Sequence, residues 1–170
     1  LLDQYLDLMN QSIVQMDTFL QDLIHYSRNL RSEVSSMEIN VREVVEDVFQ
    51  NLNYMMGNDG VNFDIAENSL SVYSDYMRLK MILNNLISNA IYYSSEADKP
   101  LVSVDFYREN GHLNITVKDN GIGIDEKHQE EIFEMFYRVS SAGKGSGLGL
   151  YIVKEAVEKL GGEINLDSEL

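Results

Sequence analysis

Cysteine is absent from these 170 residues, which excludes a disulfide framework and any thiolate metal site. An intracellular, reducing compartment is allowed, and a cytoplasmic placement is the expectation. Bases are scarce too: 13 Lys and Arg face 28 Asp and Glu, for a formal net charge of −15. That balance argues against nucleic acid, whose backbone demands Lys and Arg, and equally against anionic membrane surfaces. No apolar run reaches the length that crosses a bilayer, and no signal peptide is visible. Proline occurs once, at Pro100, where it closes a loop. What is present is a 44% hydrophobic chain, ordinary for a globular protein and long enough for one compact domain plus an appendage.

The appendage comes first. Leu2, Leu6, Met9, Ile13, Met16, Leu20, Leu23, Ser27 and Leu30 are spaced alternately four and three, a heptad seam on a helix over residues 1–34. A second file, Tyr5, Ser12, Phe19 and Tyr26, runs beside it and widens the apolar face toward that of a helical bundle. The pattern opens mid-helix, so the chain is expected to be a piece of something longer. After a serine-rich break, residues 37–40 read as a short strand. A helix over 41–56 follows, with Asn40 as its cap. Residues 61–65 and 70–73 alternate as strands, and a strong helix spans 75–93. Two further strands form a hairpin around Asn110-Gly111. Asp125 caps a short helix ending near Phe133, a helix over 148–160 stops at Gly161-Gly162, and residues 163–166 read as a last strand. The whole is a mixed α/β body.

Its chemistry lies in two glycine clusters and one helix. Asp119-Asn120-Gly121-Ile122-Gly123-Ile124 is a glycine turn headed by an acid. Most glycine loops serve phosphate and need no carboxylate. A buried Asp119 suits a neutral ring with an N–H donor, such as the amino group of adenine. Gly143-Lys144-Gly145-Ser146-Gly147-Leu148-Gly149-Leu150 matches neither Gly-x-Gly-x-x-Gly nor the P-loop pattern. Alternating glycines ahead of a helix still expose consecutive N–H groups to an anion. Asn85 and Asn89, four apart, share one face of the strong helix. They read either as satisfied core amides or as neutral oxygen ligands for a hard cation.

The ordered combination is specific. Asn-x₃-Asn, then Asp-x-Gly-x-Gly-Ile, then Phe133-Glu134-Met135-Phe136-Tyr137-Arg138, then Gly-x-Gly-Leu-Gly-Leu resembles the sensor histidine kinases of two-component systems. The resemblance implies a Bergerat (GHKL) fold over residues 37–170: an α+β two-layer sandwich, its mixed sheet covered on one face by helices. Residues 1–34 resemble the second helix of the dimerisation and histidine-phosphotransfer hairpin. It further implies ATP and Mg²⁺ as ligands. Asn89 would hold the Mg²⁺, Asn85 would lie near the phosphates, and Asp119 would accept from the adenine amino group. Gly121, Gly123 and Ile124 would line the base, and Tyr93 would stack on it. Arg138 and Lys144 would contact phosphate, and Gly145, Gly147, Leu148 and Gly149 would cradle the triphosphate. The partners implied are a response regulator receiver domain, the protein's own phosphotransfer helix and a second copy in a homodimer.

The match departs from the family pattern in three places, one of them the shortness of the lid that the resemblance implies over the phosphates at residues 139–146. Tyr92 stands where the family often has Lys or Arg. That substitution keeps open a second reading, a degenerate nucleotide-binding or scaffold module without efficient kinase activity. None of the three histidines, His25, His112 and His128, lies in the family's acceptor motif. All three read as solvated, and the acceptor is expected on a helix ahead of Leu1. Gyrase-type and chaperone-type ATPases carry Glu where Asn85 stands. An amide cannot take a proton from water, so Asn85 favours kinase over ATPase.

Overall fold

The computed structural model describes residues 2–56, 60–94, 97–139 and 146–170. Helix α1 (Leu2–Arg31) leads into β1 (Ser36–Asn40), α2 (Val41–Met56), β2 (Asn62–Ile65), β3 (Ser71–Asp75) and α3 (Tyr76–Ser94). Strands β4 (Leu101–Glu109) and β5 (His112–Asp119), two 3₁₀ turns and helix α4 (Gly149–Lys159) complete the described elements. β2 pairs parallel with β4, and β4 antiparallel with β5, while β1 and β3 form a separate antiparallel pair. The hairpin between β4 and β5 turns at Asn110 (φ 50°) and Gly111 (φ 85°), the two left-handed residues that a tight two-residue turn requires.

Alternation makes this a two-layer fold. Val102, Val104 and Phe106 of β4 are buried, while Leu101, Asp105 and Tyr107, which alternate with them, are exposed, so one sheet face meets protein and the other meets water. Val41, Val44, Val45 and Val48 of α2, with Leu79, Leu83, Ile87 and Ile91 of α3, fill the covered face. Ile82 on another side of α3 packs with Val153 and Ala156 of α4 in a second cluster. Helix α3 is thus held on two sides, which fixes the face carrying Asn85 and Asn89. Helix α4 ends as expected: Gly161 is left-handed (φ 73°) and the Gly162 N–H donates back to the Val157 carbonyl at 3.0 Å.

Four local expectations give way. Residues 163–166 form no strand. The segment they lead into is held by bonds that involve side chains, with the Ile124 N–H donating to Ser168 Oγ (3.0 Å) and Gln129 Nε2 to the Ser168 carbonyl (2.9 Å), rather than by a ladder. Asp125 does cap, accepting from the Lys127 N–H at 3.1 Å, but it starts two short 3₁₀ turns, Glu126–His128 and Glu131–Phe133. Asn40 does not cap α2. Its Nδ2 donates to Glu43 at 2.8 Å, its Oδ1 is buried without a partner, and the Val41 N–H goes to the Leu70 carbonyl instead. His128 is half-buried and lies 2.6 Å from the Tyr137 hydroxyl, so it is a partnered residue, while His112 is exposed as expected. The side chains of His25, Leu2 and Leu30 lie outside the described residues.

Candidate nucleotide site

Asn85 and Asn89 sit one turn apart on α3, both half-buried. Asn85 Nδ2 donates to the Met81 carbonyl at 2.9 Å, and its Oδ1 faces the first turn of α4 so closely that a Cβ at Gly149 would lie 2.8 Å from it. A side chain at position 149 would therefore have to push the Asn85 amide aside. The Asn89 amide has no hydrogen-bond partner among the described residues. Of the two readings of this pair, Asn85 is in part a satisfied amide and Asn89 is not.

The turn after β5 meets the end of the same helix. The Gly121 N–H donates to Asp119 Oδ1 at 2.8 Å, and a Cβ at Gly121 would come within 2.5 Å of the Tyr93 carbonyl. Asn120 fastens the turn to the start of β4, accepting from the Leu101 N–H (2.9 Å) and donating to the Lys99 carbonyl (2.9 Å). Asp119 itself is exposed rather than buried, because the turn stands at the open edge where α3 and the sheet end. Gly123 is left-handed (φ 69°), and a Cβ there would collide with the Glu169 carbonyl, so its missing side chain makes room for the chain's own last residues. Tyr93 packs edge-on against Tyr92, centroids 4.9 Å apart. Burial and Tyr92 push the Tyr93 hydroxyl above its ordinary range, and the Arg138 guanidinium pulls it the other way by less.

The second glycine cluster is described from Ser146 onward; Lys144 and Gly145 lie outside the described residues. Gly147 is left-handed (φ 75°), and a Cβ there would lie 2.8 Å from Phe136. The Phe136 N–H donates to the Gly147 carbonyl at 3.0 Å, and Phe136 is itself left-handed (φ 67°), a costly conformation for a bulky residue. Leu148 is buried beneath the start of α4. The structure thus gathers Asn85 with Gly149, and Tyr93 with Asp119 and Gly121, into two ends of one α3-lined surface.

Several polar residues of consequence were not singled out in the sequence. Arg78, in the first turn of α3, is 3% exposed. Its guanidinium pairs with Asp75 and donates to Asn29 Oδ1 (2.9 Å) and to the carbonyls of Asn29 (3.2 Å), Ser32 (2.7 Å) and Glu33 (3.3 Å). Lys159 also donates to the Asn29 carbonyl. Two cations thus close the carbonyl end of α1, where the helix dipole favours positive charge. Further along α1, Phe19 meets Phe136 (centroids 6.3 Å) and Tyr26 meets Tyr151 (5.7 Å). Ser146 donates its hydroxyl to Asp22. Only the Asp75-x-x-Arg78 spacing offered a local signal, since Asp75 accepts the Arg78 N–H at 3.0 Å as a helix cap.

Residues 74–170 match the family model of histidine kinase-, DNA gyrase B- and HSP90-like ATPases. The methanogenesis regulatory histidine kinase FilI of Methanothrix harundinacea (strain 6Ac) is 30% identical over 164 residues, 96% of this chain and 18% of its own length. The solved mycobacterial sensor histidine kinase MprB superposes with a TM-score of 0.64 at 27% identity, over 75% of this chain and 81% of that one. The histidine kinase ThkA, solved in complex with the response regulator protein TrrA, reaches a TM-score of 0.72 over 95% of this chain and 45% of that one; at 22% identity it speaks for the fold alone. The chain spans about a fifth of the length of the first curated relatives it matches.

Proposed function

The chain belongs to the histidine kinase-, DNA gyrase B- and HSP90-like ATPase family, and from that premise we propose that it is the ATP-binding catalytic core of a two-component sensor histidine kinase. In the reaction, the bond between the γ-phosphorus and its bridging oxygen breaks, ADP leaves, and the phosphoryl group forms a bond to an imidazole nitrogen. The acceptor imidazole is the nucleophile, so this domain's task is positioning and charge stabilisation. Residues 37–170 act as the ATP-binding domain and residues 1–34 as part of the dimerisation and phosphotransfer unit.

One juxtaposition carries the reading: Asn85 against Gly149 at the head of α4, with Asn89 one turn on and unpartnered among the described residues. This sets two amides beside a helix N-terminus, where negative charge is drawn. Asp119 takes the adenine amino group with the carboxylate oxygen that the turn does not use, and Tyr93 supplies an exposed ring beside it. Arg138 answers phosphate charge in place of the basic residue that Tyr92 displaces, with Lys144 as its companion. The neutral oxygen of Asn89 suits a hard cation that fills its shell from water and phosphate, so Asn89 holds Mg²⁺, which when bound neutralises charge on the triphosphate. Asn85 accepts no proton from water, which steers the site toward phosphoryl transfer and away from hydrolysis. None of His25, His112 and His128 stands in the acceptor motif, so the acceptor is a histidine outside these residues. From it the phosphoryl group passes to a response regulator receiver domain.

A titration with a fluorescent ATP analogue tests the site. Asp119→Asn is expected to weaken binding by about tenfold to a hundredfold, the scale of one charge-assisted hydrogen bond. Asn89→Ala is expected to remove the dependence on Mg²⁺ while sparing metal-free binding. An unmutated chain that binds no ATP, or an Asp119→Asn variant that binds as well as the parent, would sink the reading. Radiolabelled ATP is expected to leave the 170-residue chain itself unlabelled; acid-labile label on it would place an acceptor here and point to His25.

A further inference from the structure

The second apolar file on α1 does not serve a bundle along its whole length. Its upper members, Tyr5 and Ser12, are exposed, while Phe19 and Tyr26 pack on the body of the protein. Between those two anchors lies Asp22, half-buried, with its carboxylate accepting the Ser146 hydroxyl. Ser146 Oγ in turn accepts the Leu148 N–H at 3.0 Å. The first free amide at the head of α4 is therefore occupied by a hydroxyl, and that hydroxyl is oriented by an anion from α1. Gly149, on the next residue of that head, is where Asn85 converges. A carboxylate thus sits against the one helix N-terminus that the phosphates of a nucleotide would use.

We propose that Asp22 is an internal competitor of phosphate: with α1 docked, its charge stands at the phosphate end of the nucleotide site, so docking of residues 19–29 and binding of a nucleoside polyphosphate oppose each other. This rests on the ATP-site reading above and adds a regulatory coupling to it. The repulsion is specific in kind. It acts on the phosphates, which approach Ser146 and Leu148, and spares the base, which lies at the Asp119 and Tyr93 end. The clamp of Arg78 and Lys159 on Asn29 is about two turns of α1 away from Asp22. Release at Asp22 therefore leaves the helix tethered at its C-terminal end. Coupling between two sites is reciprocal, so ATP must loosen the docked half of α1 by the factor that docking costs ATP.

Two readouts test this. ATP and adenosine affinities are measured for the parent chain, Asp22→Asn and Asp22→Ala. Asp22→Asn keeps an acceptor for Ser146 and removes the charge. Both variants are expected to bind ATP about tenfold more tightly, the scale of one screened unit-charge contact, with adenosine unchanged. Amide hydrogen exchange in residues 19–29 of the parent is expected to speed up on adding ATP and to be indifferent to adenosine. Unchanged ATP affinity in Asp22→Asn, or equal gains for ATP and adenosine, overturns the proposal while leaving the nucleotide site standing, as does exchange that ignores ATP. If neither ligand binds the parent or either variant, the nucleotide site itself falls and this coupling with it.

Discussion

Gly121 shows how a motif residue can be required twice over. The motif reading assigns its missing side chain to the approach of a base, yet a Cβ there would already lie 2.5 Å from the Tyr93 carbonyl and 2.8 Å from Asp119 Oδ1. Gly121→Ala must therefore move the turn off the end of α3. A cost of about 1–3 kcal/mol in stability is expected, as for other overpacked sites, together with weaker ATP binding. Gly60 is the control, since a Cβ there meets nothing within 4 Å; Gly60→Ala is expected to be neutral or stabilising by less than about 1 kcal/mol. Chemical denaturation of the two variants side by side measures the contrast, and equal stabilities would contradict it. The asymmetry explains what was legible at this scale. Asp119, Gly121 and Asn85 carry their chemistry in residue type and local spacing, so the motif exposed them. Arg78 and Asp22 also reach partners 49 and 124 residues away, Asn29 and Ser146, and no window of sequence holds both ends of those bonds.

Among the elements, the junction of α1, β3 and α3 is held by a dense set of buried and half-buried polar bonds. Asp75 is 4% exposed, pairs with Arg78 and accepts the N–H groups of Ser35 and Arg78, both at 3.0 Å. Burial pushes its carboxyl up, but those hydrogen bonds and the guanidinium outweigh it and hold the group below the ordinary carboxylate range. A carboxyl depressed in the folded state contributes stability that is fully present above its unfolded value, near 4, and is lost as pH falls through the folded value. The acid limb of the thermal unfolding profile below about pH 4 is therefore expected to flatten in Asp75→Asn. Arg78→Ala, which strands a buried carboxylate and frees the carbonyls of Asn29, Ser32 and Glu33, is expected to cost about 3–5 kcal/mol. A variant whose melting temperature matches the parent's would show the clamp to be idle. Helices α2, α3 and α4 and the Asn110-Gly111 hairpin were readable because period and turn chemistry are local. Residues 163–166 alternate as a strand does, but a strand exists only where a free edge accepts it, and that condition is tertiary.

For the whole molecule, the open question is what covers the heptad seam. Leu6, Met9, Ile13, Met16 and Leu20 are between 49% and 65% exposed, because the body of the protein takes the neighbouring stripe through Phe19, Asp22, Tyr26 and Asn29. The two faces are separate, so α1 can dock on the body of its own chain and still offer the seam outward. A stripe of this kind buries itself only against another helix, and a second copy of α1 supplies a matching one. Two chains of net charge −15 repel, and salt screens that repulsion, the Debye length shrinking from about 10 Å at 0.1 M to about 3 Å at 1 M. Sedimentation equilibrium is therefore expected to find a monomer–dimer equilibrium that shifts toward dimer as salt rises, the reverse of an association held by opposite charges. Ile13→Glu, at an exposed seam position that touches neither Asp22 nor the clamp, is expected to abolish the dimer and leave ATP affinity unchanged. A parent chain that stays monomeric at every concentration and salt would mean that the seam awaits some other helix, and loss of ATP binding in Ile13→Glu would mean that the two faces of α1 are coupled after all.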